Sequence, residues 1–267
     1  MTAYRFPDYQ VNGAGETTVF LLHGAYGSKD YFRDEVTALV KEGFRVVAWD
    51  APGYGISPLP SDLSIDGLAD TAARLIETLG TRTNIVVGHS MGGIVAPGVC
   101  ARIPQRVQGL VISATVASFS QKTENEKRSF LAERIEPLKQ GKSFRETASV
   151  VIDSMFAPNS SGPRVQRVKD VALSTRAETF MAAISAIVHY EGMPTLTSIS
   201  LPTLLVAGAY DKVGNPEAMQ KMAGWMKQAR YVCIANAAHY AFAEQQDMFN
   251  LHLCEFIRKD VLKGAAQ

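Results

Sequence analysis

Ser90 stands in "VVGHSMGG", residues 86–93, with Gly88 two positions before it and Gly92 two after. The spacing G-x-S-x-G suits a serine carried on a sharp strand-to-helix turn, where side chains at the flanking positions would collide. A valine-rich run precedes the motif and a helical segment follows, which is the context such a turn requires. The turn would lift the hydroxyl above the sheet edge, at a helix N-terminus whose free N–H groups favour developing negative charge. The chemistry expected of Ser90 is nucleophilic attack.

A serine hydroxyl is a weak nucleophile near neutral pH, so a base is required. The chain has five histidines. His23 closes a strand in "LLHG" and is expected to brace the loop that follows. His89 adjoins Ser90, and its side chain should leave the turn in another direction. His252 falls among apolar positions of the last helix, where packing is expected. His189 lies late in a long helical stretch and is a candidate for a pocket wall. His239, in "IANAAHYAF", occupies a small-residue loop between the last strand and the last helix. Such a loop at the carboxyl edge of a sheet can bring an imidazole to the serine, so His239 is the expected base. The imidazole in turn needs an acid to fix its tautomer. "LLVAGAYDKVGNP" supplies Asp211, in a turn directly after a buried strand.

The elements that must position these residues are legible as an alternation of short apolar runs and helix-period segments, the pattern of a mostly parallel sheet with crossover helices. "TTVFLLHG", "FRVVAWD", "NIVVGHS", "VQGLVIS", "LPTLLVAG" and "ARYVCIAN" read as strands. Phe32, Val36, Leu39 and Val40 recur at helical spacing before Gly43, placed as a C-cap glycine. Ser64 reads as the N-cap of a helix with Ile65, Leu68, Ala72, Leu75, Ile76 and Leu79 on one face, ended by Gly80. From about Ser118 the pattern turns charged and helical with no strand, broken at "APNSSGPR" and resuming from about Val165 to Tyr190. The expected organisation is therefore a core at 1–117 and 199–267, interrupted by a helical insertion at 118–198. A final helix presents Phe249, Leu253, Phe256 and Ile257.

With "GHSMGG", "HGAYGS" after the first long strand, "DAPGYGISP" after the next and the chain order Ser90, Asp211, His239, the sequence resembles the α/β-hydrolase superfamily over essentially its whole length. It is most similar to the cap-bearing branch that includes 3-oxoadipate enol-lactonase-like hydrolases, carboxylesterases and meta-cleavage carbon–carbon hydrolases. The resemblance implies an α/β-hydrolase fold with 118–198 as the cap. It also implies an oxyanion hole of two backbone N–H groups, from Met91 and from Ala25, with Tyr26 the alternative to Ala25. Asp50 in "DAPGYGISP" is read as structural. An epoxide hydrolase or haloalkane dehalogenase would need aspartate where Ser90 stands, so those activities are excluded.

The expected reaction is hydrolysis of a small-molecule ester or lactone through an acyl-enzyme, with no metal or organic cofactor. Carbon–carbon cleavage, perhydrolysis on the same triad and slow-turnover sensing of a small ligand are the alternatives. Meta-cleavage hydrolases resemble one another through a glycine–proline-rich oxyanion loop and an asparagine before the serine, where this chain has "HGAYG" and His89. Candidate substrate contacts are Tyr26, Phe156, Phe180, His189 and Tyr190.

Composition narrows the partners. The chain has 267 residues, 27 Lys plus Arg against 26 Asp plus Glu, and a net charge of +1. Nucleic acid and anionic membranes favour a clear basic excess, so neither is an expected partner. The insertion holds 11 basic and 9 acidic residues, a mild hint of an anionic substrate. Cys100, Cys233 and Cys254 are odd in number and lie beside apolar neighbours, so they read as buried free thiols in a reducing compartment. The first residues, "MTAYRFPDYQ", lack the apolar stretch of a signal peptide, and the expected location is the cytoplasm. The oligomeric state is left open.

Overall fold

The computed structural model describes residues 6–119 and 122–263. Its strands are β1 (Tyr9–Asn12), β2 (Thr17–Leu22), β3 (Arg45–Trp49), β4 (Thr83–His89), β5 (Gly109–Ser113), β6 (Thr203–Gly208) and β7 (Ala229–Ile234). They form one sheet in the order β1-β3-β2-β4-β5-β6-β7. Only β1 runs antiparallel, against β3; every other neighbouring pair is parallel. β2, β4, β5 and β6 are valine- and leucine-rich and almost wholly buried. Continuous apolar strands of this kind require cover on both faces.

The cover comes from α1 (Arg33–Lys41), α2 (Ile65–Leu79) and α3 (Met91–Arg102), and from two helices that follow β6. Ser64 caps α2 by accepting the Gly67 N–H at 3.1 Å, and the helix buries Ile65, Leu68, Ala72, Leu75 and Ile76. α3 is apolar on every side and buries all its residues from Met91 to Cys100, as a helix in the middle of a core must. Gly43, with φ +87°, ends α1 in the left-handed region.

Five helices lie between β5 and β6: α4 (Glu124–Lys139), α5 (Phe144–Asp153), α6 (Pro163–Leu173), α7 (Ala177–His189) and α8 (Met193–Ser198). The stretch read as one helical run from Val165 to Tyr190 is two helices, α6 and α7, meeting at a bend of 93°. No single helix among the described residues is long and apolar enough to cross a membrane. After β6 come α9 (Pro216–Gly224), then β7, α10 (Ala241–Glu244) and α11 (Gln246–Phe256).

Two features depart from the reading of the sequence. β1 is four residues long with its middle pair exposed, too short and too polar to give a periodic signal. β7 is an edge strand, and Cys233 on it is exposed, whereas Cys100 and Cys254 are buried as expected.

One buried carboxyl ties α1 to α11. Glu35 of α1 is 2% exposed, and its Oε1 accepts the Gln246 side-chain N–H at 3.1 Å. Burial pushes this carboxyl up to about 8 despite that hydrogen bond. The folded state then holds a proton that the unfolded state releases at its ordinary carboxylate pKa. Stability should fall as pH rises from the ordinary value of 4.5 towards 8, by at most about 1.4 kcal/mol per pH unit, and level off above it. Glu35→Gln should flatten that slope in urea titrations between pH 5 and 8. An unchanged slope would place the proton elsewhere.

Candidate active site

The parallel strands deliver Ser90, Asp211 and His239 to the same sheet edge, since each follows the carboxyl end of β4, β6 or β7. Strand order reverses between β3-β2 and β4-β5, so the loops after β2 and β4 part and leave a crevice at this edge. Leu22 of β2 pairs with Gly88 of β4, which sets the Ala25 loop beside Ser90.

Ser90 has φ 54° and ψ −116°, a conformation that costs a non-glycine residue about 1–3 kcal/mol. It is held there by its carbonyl, which accepts the Gly93 N–H at 2.9 Å, the Ile94 N–H at 3.2 Å and the Thr115 hydroxyl at 2.8 Å. The glycine at 92 is required by close approach: a Cβ there would lie 2.1 Å from the Leu22 carbonyl oxygen. Gly92→Ala should therefore destabilise the fold by about 1–3 kcal/mol or more. The urea midpoint measures this, and an unchanged midpoint would contradict the packing of the turn on β2.

His239 is 2% and Asp211 3% exposed. Their side chains meet with His239 Nδ1 3.0 Å from Asp211 Oδ2, while Asp211 Oδ1 accepts the Val213 N–H at 2.7 Å. Burial by itself would raise the Asp211 carboxyl. The His239 charge and hydrogen bond, with the Val213 and Gly214 amides, outweigh it and hold the carboxyl below its ordinary value. With Nδ1 donating to a carboxylate, His239 keeps a lone pair on Nε2, the state a general base needs.

The loop after β2 is fixed by its carbonyls. His23 Nδ1 lies 2.8 Å from the Gly24 carbonyl, and His23 Nε2 accepts the Ala51 N–H at 3.0 Å. These partners give the neutral ring its Nδ1–H tautomer, consistent with burial lowering its pKa. The Tyr54 hydroxyl donates to the Ala25 carbonyl at 3.0 Å, and the Tyr31 hydroxyl accepts the Gly24 N–H at 2.6 Å. Because a trans peptide points its N–H opposite to its C=O, these bonds also fix where the Ala25 and Tyr26 amides face. A Cβ placed on Gly24 would lie 3.3 Å from Ser90 Oγ, which measures how closely this loop approaches the serine. The Ala25 and Met91 amides have no protein acceptor among the described residues. Asp50 accepts the Lys29 main-chain N–H at 2.8 Å and the Lys29 ammonium at 2.5 Å, anchoring the turn that follows.

Ser90, His239, Ala25, Tyr26 and Met91 all line one cavity of about 450 Å³. The other sequence candidates stand outside it. Phe180 is buried one layer back, packed on Tyr26 with ring centroids 4.5 Å apart. Phe156 stacks on the Tyr240 ring at 5.0 Å. His189 is exposed, with Nδ1 2.7 Å from the Ser185 carbonyl one helical turn earlier. Tyr190 borders a separate crevice beside Ile94 and Pro97. The cavity wall is instead made by residues the sequence reading passed over, among them Phe119, Phe130, Arg134, Met155, Ile184 and Ile187.

Two further residues belong to this site. His89, expected to leave the turn in another direction, borders the cavity with its ring 4.9 Å from that of His239. Burial keeps it well below the ordinary histidine range, so it is neutral. Glu244 binds the loop of His239 on both sides. Its Oε1 accepts the Ala238 N–H at 2.9 Å and the Tyr240 N–H at 3.2 Å, and its Oε2 accepts the Ala157 N–H at 2.7 Å and the Ser160 hydroxyl at 2.6 Å. The His239 N–H itself donates to the Met155 carbonyl at 3.0 Å. A carboxylate five residues after a loop histidine is the only local signal for it. Among the described residues no group of three or more His, Cys, Asp or Glu is gathered as metal ligands would be.

A model of the alpha/beta hydrolase fold family matches residues 17–246. The chain is 28% identical over 256 residues to a bifunctional esterase/perhydrolase of Acinetobacter calcoaceticus, covering 90% of this chain and 91% of that protein. It is 24% identical over 242 residues to the pimeloyl-[acyl-carrier protein] methyl ester esterase of Neisseria meningitidis serogroup C, with 90% and 93% covered. The crystal structure of a hydrolase from Pseudomonas aeruginosa PA01 superposes with a TM-score of 0.82 at 26% identity, covering 93% of each chain.

Proposed function

The chain belongs to the alpha/beta hydrolase fold family, and from that membership we propose that it is a carboxylic ester hydrolase acting on small-molecule esters or lactones through a Ser90–His239–Asp211 triad. The observation that carries this reading is the meeting of Ser90 and His239 in one cavity, with Asp211 held on the far nitrogen of the histidine. Relatives named as esterases support the reaction class.

Ser90 Oγ attacks the acyl carbon while His239 Nε2 takes the hydroxyl proton. The negative charge that develops on the acyl oxygen rests on the amides of Met91 and Ala25. Loss of one such donor elsewhere costs about 2.7–4 kcal/mol, so these amides carry much of the rate. His239 then protonates the leaving alcohol, or the ring oxygen of a lactone. Water, deprotonated by the same histidine, attacks the acyl-enzyme and frees the acid and Ser90. His23, Tyr31 and Tyr54 act through the oxyanion loop by holding its peptide planes. Residues 118–198 serve as the cap that roofs the cavity, with Phe130, Arg134, Ile184 and Ile187 as its contact surface.

The test is initial-rate hydrolysis of p-nitrophenyl acetate, p-nitrophenyl butyrate and a panel of small lactones, with Ser90→Ala alongside. Turnover that depends on Ser90 is expected. Turnover that survives Ser90→Ala would remove the serine from the mechanism, and a single burst without turnover would leave a reactive serine but no hydrolase for these acyl groups.

A further inference from the structure

The cavity is apolar over most of its wall, yet three cations border it: Lys122 before α4, Arg134 on α4, and Lys212 directly after Asp211. No aspartate or glutamate is among its lining residues. This is a local asymmetry, because the chain as a whole carries a net charge of only +1. An apolar pocket with a few convergent polar groups draws its specificity from those groups.

Arg134 is the cation that is built in place. Its guanidinium carbon lies 3.7 Å from the centroid of the Phe130 ring, one helical turn earlier, and its Nη1 donates to the Phe130 carbonyl at 3.2 Å. The stacked, planar fork keeps its orientation and leaves further N–H donors for a ligand. Its side chain is 23% exposed, and its carboxylate contact is the solvent-facing Glu133, 3.4 Å away. Such an exposed pair holds little energy and yields to a better-placed anion. Lys122 likewise meets only the exposed Glu126, at 3.4 Å, and Lys212 pairs with no carboxylate among the described residues.

We infer that the substrate carries an anionic group, a carboxylate or a phosphate, beside its scissile ester, and that Arg134, flanked by Lys122 and Lys212, selects it. The inference rests on the hydrolase reading above and adds the substrate class. Phe119, Phe130 and Ile187 receive the apolar chain that joins the anion to the acyl carbon. A charge-assisted hydrogen bond of this kind corresponds to about a tenfold to hundredfold preference.

The experiment compares kcat/KM for monomethyl adipate, its dimethyl ester and the methyl ester of an acid ending in a phosphate, followed by proton release. The wild-type protein should favour an anionic ester over the neutral diester by about tenfold or more, and the better anion identifies the source. Raising ionic strength from 10 to 500 mM should shrink the preference. Arg134→Ala should reduce the ratio of anionic to neutral kcat/KM towards one, Arg134→Lys should restore part of it, and Lys122→Gln should lower it partway. No preference in the wild type, or an equal loss on both esters in Arg134→Ala, would overturn the inference and leave Arg134 a packing residue. Ser90-dependent hydrolysis of the neutral ester would survive that outcome. Absence of Ser90-dependent hydrolysis on every ester would instead remove the hydrolase reading and this inference with it.

Discussion

Ser90→Ala should lower kcat/KM for any ester by roughly 10⁴–10⁶, because the nucleophile and its base act as a unit and little is left once one is gone. The fold should survive, since the hydroxyl lies at the cavity surface and the turn is held by the Ser90 carbonyl and by glycine packing. A second variant separates chemistry from structure. At φ 54° glycine is relaxed where serine is strained. Ser90→Gly should lose the same activity yet stabilise the chain by about 1 kcal/mol, a rise of about 2–4 °C in Tm for a protein of this size. Rates, fluorophosphonate labelling and thermal melts on the three proteins decide the matter. A Ser90→Ala variant with more than a few per cent of wild-type activity would sink the triad. A less stable Ser90→Gly would show that the turn is not strained.

Asp211→Asn comes next in size, at roughly 10³–10⁴ in kcat. The geometry says why. Oδ1 is committed to the Val213 N–H, so an asparagine keeping its oxygen there turns its amide N–H₂ towards His239 Nδ1. Nδ1 must then accept, the ring proton moves to Nε2, and the face towards Ser90 can no longer take a proton. The expected signature is a fall in kcat with the fold intact. A loss under tenfold would assign the acid to another carboxylate. Stability carries a second signature. The depressed Asp211 carboxyl stabilises the folded state above its ordinary value of 3.8 and loses that contribution as pH falls through its folded value. Asp211→Asn should therefore show a shallower acid limb.

The residues of the proposed triad are legible in the sequence because chemistry restricts their types and a parallel sheet restricts their places. Serine between glycines, aspartate in a turn after a buried strand and histidine in a loop of small residues each sit at a strand end. The cavity wall is not legible in the same way. Between β5 and β6 no strand fixes a register, and which helix face turns inward depends on packing such as the 93° bend between α6 and α7. Phe180 and His189 carry side chains able to line a pocket, yet one faces Tyr26 from behind and the other turns to the Ser185 carbonyl. Phe130 and Arg134 hide within "ENEKRSFLAERIEPLK", whose charges mask the one-turn spacing that joins them. β1 escapes because four half-exposed residues carry almost no periodicity.

Glu244 makes one wall of the cavity mechanically inseparable from the His239 loop. Four donors converge on its two oxygens, two from the loop of His239 and two from the turn after α5, and the His239 N–H is tied to Met155 besides. A swing of residues 155–160 wide enough to admit a ligand would break the bonds at Ala157 and Ser160 and drag the imidazole away from the serine. On that side an opened wall and a seated His239 exclude each other.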